Sequence, residues 1–167
     1  MEANTLTQVL LNGNFLAVFG AAIAVILGGI GSAKGVGIAG EAAAGLIAED
    51  PDKFGQTLIL QALPGTQGIY GFLVGIMVML NCGFLGGTAA LTTSQGLYVL
   101  ASCLPCALTG LLSGIHQGRV SAAGINIVAK KPNEVSQAMI YAAMVETYAI
   151  LGLLTSILLI VNVGNIA

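Results

Sequence analysis

Apolar residues run along this chain in four long stretches, separated by short polar or glycine-rich passages. The first covers about Asn14 to Ala33, and Ala-rich and Gly-rich sequence continues to Ala48, reading as a helical extension out of the apolar zone. The others cover about Gly55 to Cys82, Gln95 to Gln117 and Val135 to Val163. Each holds the roughly 20 apolar residues that a helix needs to cross a hydrocarbon core. Helix is the default, because an open sheet leaves its edge groups unpaired in lipid. The predicted fold is an all-α membrane protein of four transmembrane helices in two hairpins, residues 1–84 and residues 85–167. The uncharged connector Gly83–Ser94, rich in Gly and Thr, joins them.

Composition narrows the class further. Of 167 residues, 56% are apolar and 7% charged, against about 25% charged in a soluble domain. No formal charge falls between Asn4 and Ala33 or between Phe54 and Gly118. A soluble enzyme and a disulfide-stapled secreted module are both excluded. A net charge of −2 offers no basic footprint for nucleic acid. All five Lys and Arg residues lie in 34–53 or 119–131, read as the connectors after spans one and three. The confinement of Lys and Arg to these two connectors makes that side cytoplasmic, with both termini and the Gly83–Ser94 turn outside, in the cell membrane. No Lys or Arg precedes the first run, so it reads as a retained span rather than a signal peptide. Cys82, Cys103 and Cys106 lie in apolar stretches without a surrounding βαβ pattern, which reads as small buried residues and no disulfide. Gly35-Val-Gly37-Ile-Ala-Gly40 fits a dinucleotide fingerprint by accident, since no strand precedes it.

The two halves repeat. Ala48, Pro51, Gln56, Ile59, Ala62, Thr66, Ile69, Gly71 and Leu73 recur 81 residues later, as Ala129, Pro132, Gln137, Ile140, Ala143, Thr147, Ile150, Gly152 and Leu154. Gly31 and Gly35 match Gly114 and Gly118 at a spacing of 83. The halves share an orientation, so this is a parallel duplication rather than an inverted transporter repeat. Gly31, Gly35, Ala39 and Ala43 form a small-residue stripe, and Gly110, Gly114, Gly118 and Ala122 form a second. Such stripes let backbones approach closely in lipid, which predicts a tightly packed inner pair made of spans one and three. They also favour a ring of copies over packing within one subunit alone. Span four has Gly152 as its one glycine and suits an outer helix.

Glu146 aligns with Gly65, so the second hairpin alone carries an intramembrane carboxylate. It lies twelve residues beyond Glu134, about 18 Å along a helix and hence near mid-membrane. A charge there costs at least about 2.5–3.5 kcal/mol. No Lys or Arg lies inside the spans to neutralise it, Arg119 at a helix exit being the nearest. The carboxyl is protonated, or binds a cation, or alternates between these states. Leu63, Thr66, Gln67 and Tyr70 fall on one helix face of span two, and Gln117 adds an amide near the end of span three. Pro64 lacks an N–H and disturbs its turn, which can free backbone oxygens. Hard cations take oxygen ligands, and this set is all oxygen. The competing reading is polar groups that hydrogen-bond between helices, and for Thr66 or Gln117 alone the two readings are evenly matched.

Three stretches carry a resemblance: Gly31-Ser-Ala-Lys-Gly-Val-Gly, Leu63-Pro-Gly-Thr-Gln-Gly-Ile-Tyr-Gly and Met144-Val-Glu-Thr-Tyr-Ala-Ile-Leu-Gly. With them the chain resembles the membrane rotor protein (proteolipid, K or c subunit) of sodium-transporting bacterial V-type ATPases over nearly its whole length. The resemblance implies a ring of identical subunits turning against a stator that bears a basic residue, with central-stalk subunits at the cytoplasmic loops and lipid around it. It further implies that the Leu63 carbonyl, Thr66, Gln67, Gln117 and Glu146 hold Na+, while Tyr70 hydrogen-bonds the carboxylate. His116 beside Gln117 reads as a packing or interfacial residue. The chain lacks a P-loop pattern and is expected to be a non-catalytic, ion-translocating subunit. Rival readings are the same rotor carrying H+, a small four-span proton-coupled exporter, and a passive tetraspan protein that leaves Glu146 unexplained.

Overall fold

The computed structural model describes residues 2–166, nearly all of them helical. A short helix α1 (Glu2–Leu10) precedes α2 (Gly13–Glu49), and α3 (Phe54–Ala62) and α4 (Thr66–Asn81) together make the second span. The second half holds α5 (Thr93–Lys130) and α6 (Val135–Ile160). Four of the helical stretches, Gly13–Glu49, Pro51–Asn81, Thr93–Lys130 and Pro132–Ile160, are long and apolar enough to cross a membrane. The sequence pattern did not call for α1.

The ends of the two long helices follow from local chemistry. Asn12 caps α2, its side-chain oxygen accepting from the N–H groups of Asn14 and Phe15. Thr92 and Gln95 form a capping box that starts α5. Each cap satisfies backbone donors that the first helical turn leaves without partners. The helices then run much further than their apolar stretches. Helix α5 continues past Gln117 to Lys130, so Arg119 sits within the helix and not at its exit. The reason is the stripe: Gly118 and the small residues after it keep the two backbones together beyond the apolar zone. The connectors shrink to Asp50–Lys53 and Lys131–Glu134, each a 3-10 turn opened by a proline, Pro51 or Pro132. Span two is not continuous, because Leu63–Gly65 forms a 3-10 turn around Pro64. Span four leaves the α conformation at Ile160, followed by a 3-10 turn over Val163–Asn165.

Helices α2 and α5 pack more extensively on each other than any other pair. A Cβ built on Gly31 would lie 2.5 Å from the carbonyl oxygen of Gly110, and one on Gly114 would lie 2.6 Å from the carbonyl carbon of Gly31. Gly35 meets Gly114 and Gly118 in the same way. The two stripes therefore face each other and zip the helices side by side, as small-residue seams do where lipid offers no hydrophobic drive. In the most apolar stretch of each span, 44% of residues are buried in α2 and in α5, against 22% in the α6 span. Along α6, Ile140, Tyr141, Met144, Tyr148, Leu151, Leu154 and Leu158 are exposed. That is the surface of an outer helix.

Two apolar clusters fill the interior. One gathers Ala17, Ala24, Val74, Val78, Val99, Cys103 and Ile160, with Tyr70 packed against it. The other gathers Ala43, Leu60, Ile125, Val128 and Ala138, with Leu63 against it. Cys82, Cys103 and Cys106 are free and buried in the first cluster. A polar layer separates the two clusters.

Candidate functional site

The layer is built where four helical segments meet. The 3-10 turn at Leu63–Gly65 supplies Leu63, the first two turns of α4 supply Thr66, Gln67 and Tyr70, α5 supplies Gln117, and α6 supplies Glu146. Pro64, with no N–H to give, breaks the helical ladder here. Close approach at Gly28 seats the turn, since a Cβ there would lie 2.8 Å from the Gln67 carbonyl oxygen. Gly28 and Gly71 thus let α2 and α4 touch backbone to backbone.

Glu146 is held from both sides. The Tyr70 hydroxyl donates to its Oε1 at 2.6 Å, and Gln117 Nε2 donates to its Oε2 at 3.2 Å. Gln67 Nε2 in turn donates to Gln117 Oε1. Gln67 and Gln117 are completely buried, while Glu146 is partly exposed at the bundle surface. Among the described residues the recorded ion pair is Lys53–Asp50 at 3.5 Å, far from this layer, so no cationic side chain compensates Glu146. Neutral donors hold the carboxylate in place without cancelling its charge.

One atom in this layer stands out. Gln67 Oε1 is buried and has no hydrogen-bond partner. An acceptor shut away from water without a donor costs about 1–3 kcal/mol. Thr66 Oγ1 donates to the Leu63 carbonyl at 3.2 Å, and the Thr66 N–H meets the same oxygen. The Leu63 carbonyl is thereby engaged twice, and the Thr66 hydroxyl must turn away before that oxygen can serve a ligand. The Thr66 hydroxyl oxygen itself keeps its lone pairs.

All six residues singled out from the sequence thus meet in one layer, in a chain of contacts running from Leu63 to Glu146. A seventh was missed. Ser113, one turn before Gln117, accepts from Gln67 Nε2 at 3.2 Å and donates to the Val145 carbonyl at 3.0 Å. Its four-residue spacing from Gln117 puts both on one helix face, a signal the sequence contained. His116 takes no part in this network. It is exposed in a groove of about 410 Å³ between α5 and α6, lined also by Thr109, Leu112, Ser113, Val145 and Tyr148.

Comparison with known proteins gives the arrangement a family. The family of the ATP synthase C subunit matches twice, over residues 19–78 and again over residues 100–159. The chain belongs to that family. The double match is the duplication seen in the repeat, one copy per hairpin. The chain is 55% identical over 150 residues to the V-type sodium ATPase subunit K of Enterococcus hirae, covering 90% of this chain and 93% of that one. It is 42% identical over 152 residues to the A-type ATP synthase subunit K of Methanocaldococcus jannaschii, covering 90% of this chain and 64% of that protein. It is 29% identical over 152 residues to the V-type proton ATPase 16 kDa proteolipid subunit of Chrysotila carterae, covering 87% of this chain and 89% of that one.

Proposed function

We propose that this chain is the ion-binding rotor subunit of a V-type rotary ATPase and carries Na+ across the membrane on Glu146, coupled to ATP hydrolysis or synthesis in a soluble sector. The observation that carries the sodium reading is the donor set around the carboxylate. It offers one negative charge and several neutral oxygens: Gln67 Oε1 without a partner, the Thr66 hydroxyl, and the Leu63 carbonyl once Thr66 turns. A single charge matches a monovalent cation, and hard cations prefer such oxygens. Gln117 shares the site through its amide on Glu146. A proton would need only the carboxyl and a partner such as Tyr70, which leaves Gln67 Oε1 without a role. The 55% identity to a sodium ATPase subunit favours Na+ over H+ in the same direction.

In this reading the bound ion and Glu146 form a neutral pair that can pass lipid. An uncompensated charge moved through 100 mV costs about 2.3 kcal/mol, so the pair must be neutral wherever it turns. A basic residue on a membrane stator competes for the carboxylate and releases the ion. The apolar clusters on both sides of the layer close the way along the bundle axis, so exchange runs sideways at the partly exposed Glu146. Identical subunits form the ring, and the connectors Asp50–Lys53 and Lys131–Glu134 contact the central stalk on the cytoplasmic side. The chain divides into hairpins at 84/85, with both termini outside, and does no ATP chemistry itself. The test is carbodiimide modification of Glu146 across pH, with and without Na+. Protection by millimolar Na+ is the expected result, and modification indifferent to Na+ assigns the rotor to protons.

A further inference from the structure

We propose that Ser113 is a positioning residue for cation binding: it fixes the amide of Gln67 so that Oε1, and not the NH2 group, faces the ion. This rests on the reading of the layer as a cation site. The argument is one of hydrogen-bond direction. An amide oxygen and an amide nitrogen have nearly the same shape, so only their partners decide which way a buried glutamine lies. At one end of the network, the Val145 carbonyl can only accept, so Ser113 gives its single proton there and must accept from Gln67. At the other end, Gln117 donates Nε2 to Glu146 Oε2 and presents Oε1 to Gln67. Both neighbours of Gln67 are therefore acceptors, and its Nε2 satisfies them with its two protons. Oε1 is left outside the network as a bare, buried acceptor.

Ser113 is itself anchored to a backbone carbonyl of the neighbouring helix, which fixes the direction of its hydroxyl. Ser113 is 5% exposed and Gln67 is fully buried. The Gln67 amide is thus preorganised with Oε1 free, and ion binding is spared a reorientation.

The experiment uses membranes carrying the whole ATPase, with Ser113→Ala, Ser113→Cys and Ser113→Thr beside the parent. Carbodiimide modification of Glu146 is followed against Na+ concentration and, without Na+, against pH. The Na+ concentration for half-protection should rise about tenfold in Ser113→Ala, the effect of one lost hydrogen bond. Ser113→Thr, which restores the hydroxyl, should return it close to the parent. Ser113→Cys, a weak acceptor of similar volume, should fall between and covers failure of the alanine variant to assemble. The Na+-free pH profile should stay put, because Tyr70 and Gln117 still hold the carboxylate. Unchanged half-protection in Ser113→Ala overturns the proposal, as does a pH profile that moves along with it. Failure of the underlying cation reading shows separately, as absent Na+ protection in the parent.

Discussion

The two hairpins share one plan and part company at the level of Glu146. In the second, Glu146 stands on α6 and Gln117 faces it from α5. In the first, Gly65 takes the place of Glu146, and Lys34 takes the place of Gln117 at the spacing set by Gly31 and Gly114. One half therefore holds an acid without a base, and the other a base without an acid. Lys34 is exposed, and a Cβ on Gly65 would meet only Val36 Cγ2, at 3.8 Å. The first hairpin has not lost its packing along with its carboxylate. Its stripe still zips against that of the second, its Tyr70 hydrogen-bonds the second hairpin's acid, and its Gln67 hydrogen-bonds Gln117. Duplication thus left the carboxylate in one half and its Tyr70 hydrogen-bond partner in the other.

The largest effect that would break this asymmetry is expected from Glu146→Gln, which should abolish ATP-driven Na+ uptake while the ring still assembles. Transport that persists would return the role to some other group. Next comes Gly35→Leu at the seam shared by both halves. It forces a branched side chain into the backbone of Gly114 and Gly118 and should destabilise the subunit by about 3 kcal/mol or more. Lost ring in detergent extracts is the readout. Gln67→Leu keeps the volume but removes the free oxygen, and should weaken Na+ protection of Glu146 by about ten- to a hundredfold. If protection is unchanged, Gln67 is a packing residue. The smallest and most discriminating change restores symmetry: Gly65→Glu, alone and with Lys34→Gln. A nearby ammonium favours the ionised carboxylate, and carbodiimides attack the protonated form, so the new acid should react less while Lys34 remains. Equal modification in both variants means that Lys34 does not reach position 65.

Much of the fold was legible in the sequence because lipid imposes simple rules. Long apolar runs had to be helices, and glycines four residues apart had to be a contact. The stripes face each other as their spacing predicts. Helix ends were read less well, because Arg119 and Lys130 look like connector residues when only hydropathy is followed. Packing of Gly118 against Gly35 carries the helix past the point where apolar sequence stops. The α1 helix escaped notice for a related reason: nine residues are too few to produce a clear run.

The sequence by itself determined that a carboxylate would stand in hydrocarbon, and which oxygen-bearing residues shared a helix face near it. Those are properties of spacing and composition, and they survive any arrangement of the helices. Tertiary structure decided what the polar atoms do with one another. Val145 and Glu146 close the network as acceptors, Ser113 joins it across the α5–α6 contact, and Gln67 Oε1 is left bare. Hydrogen-bond direction depends on which groups meet in three dimensions, and no pattern along the chain records it.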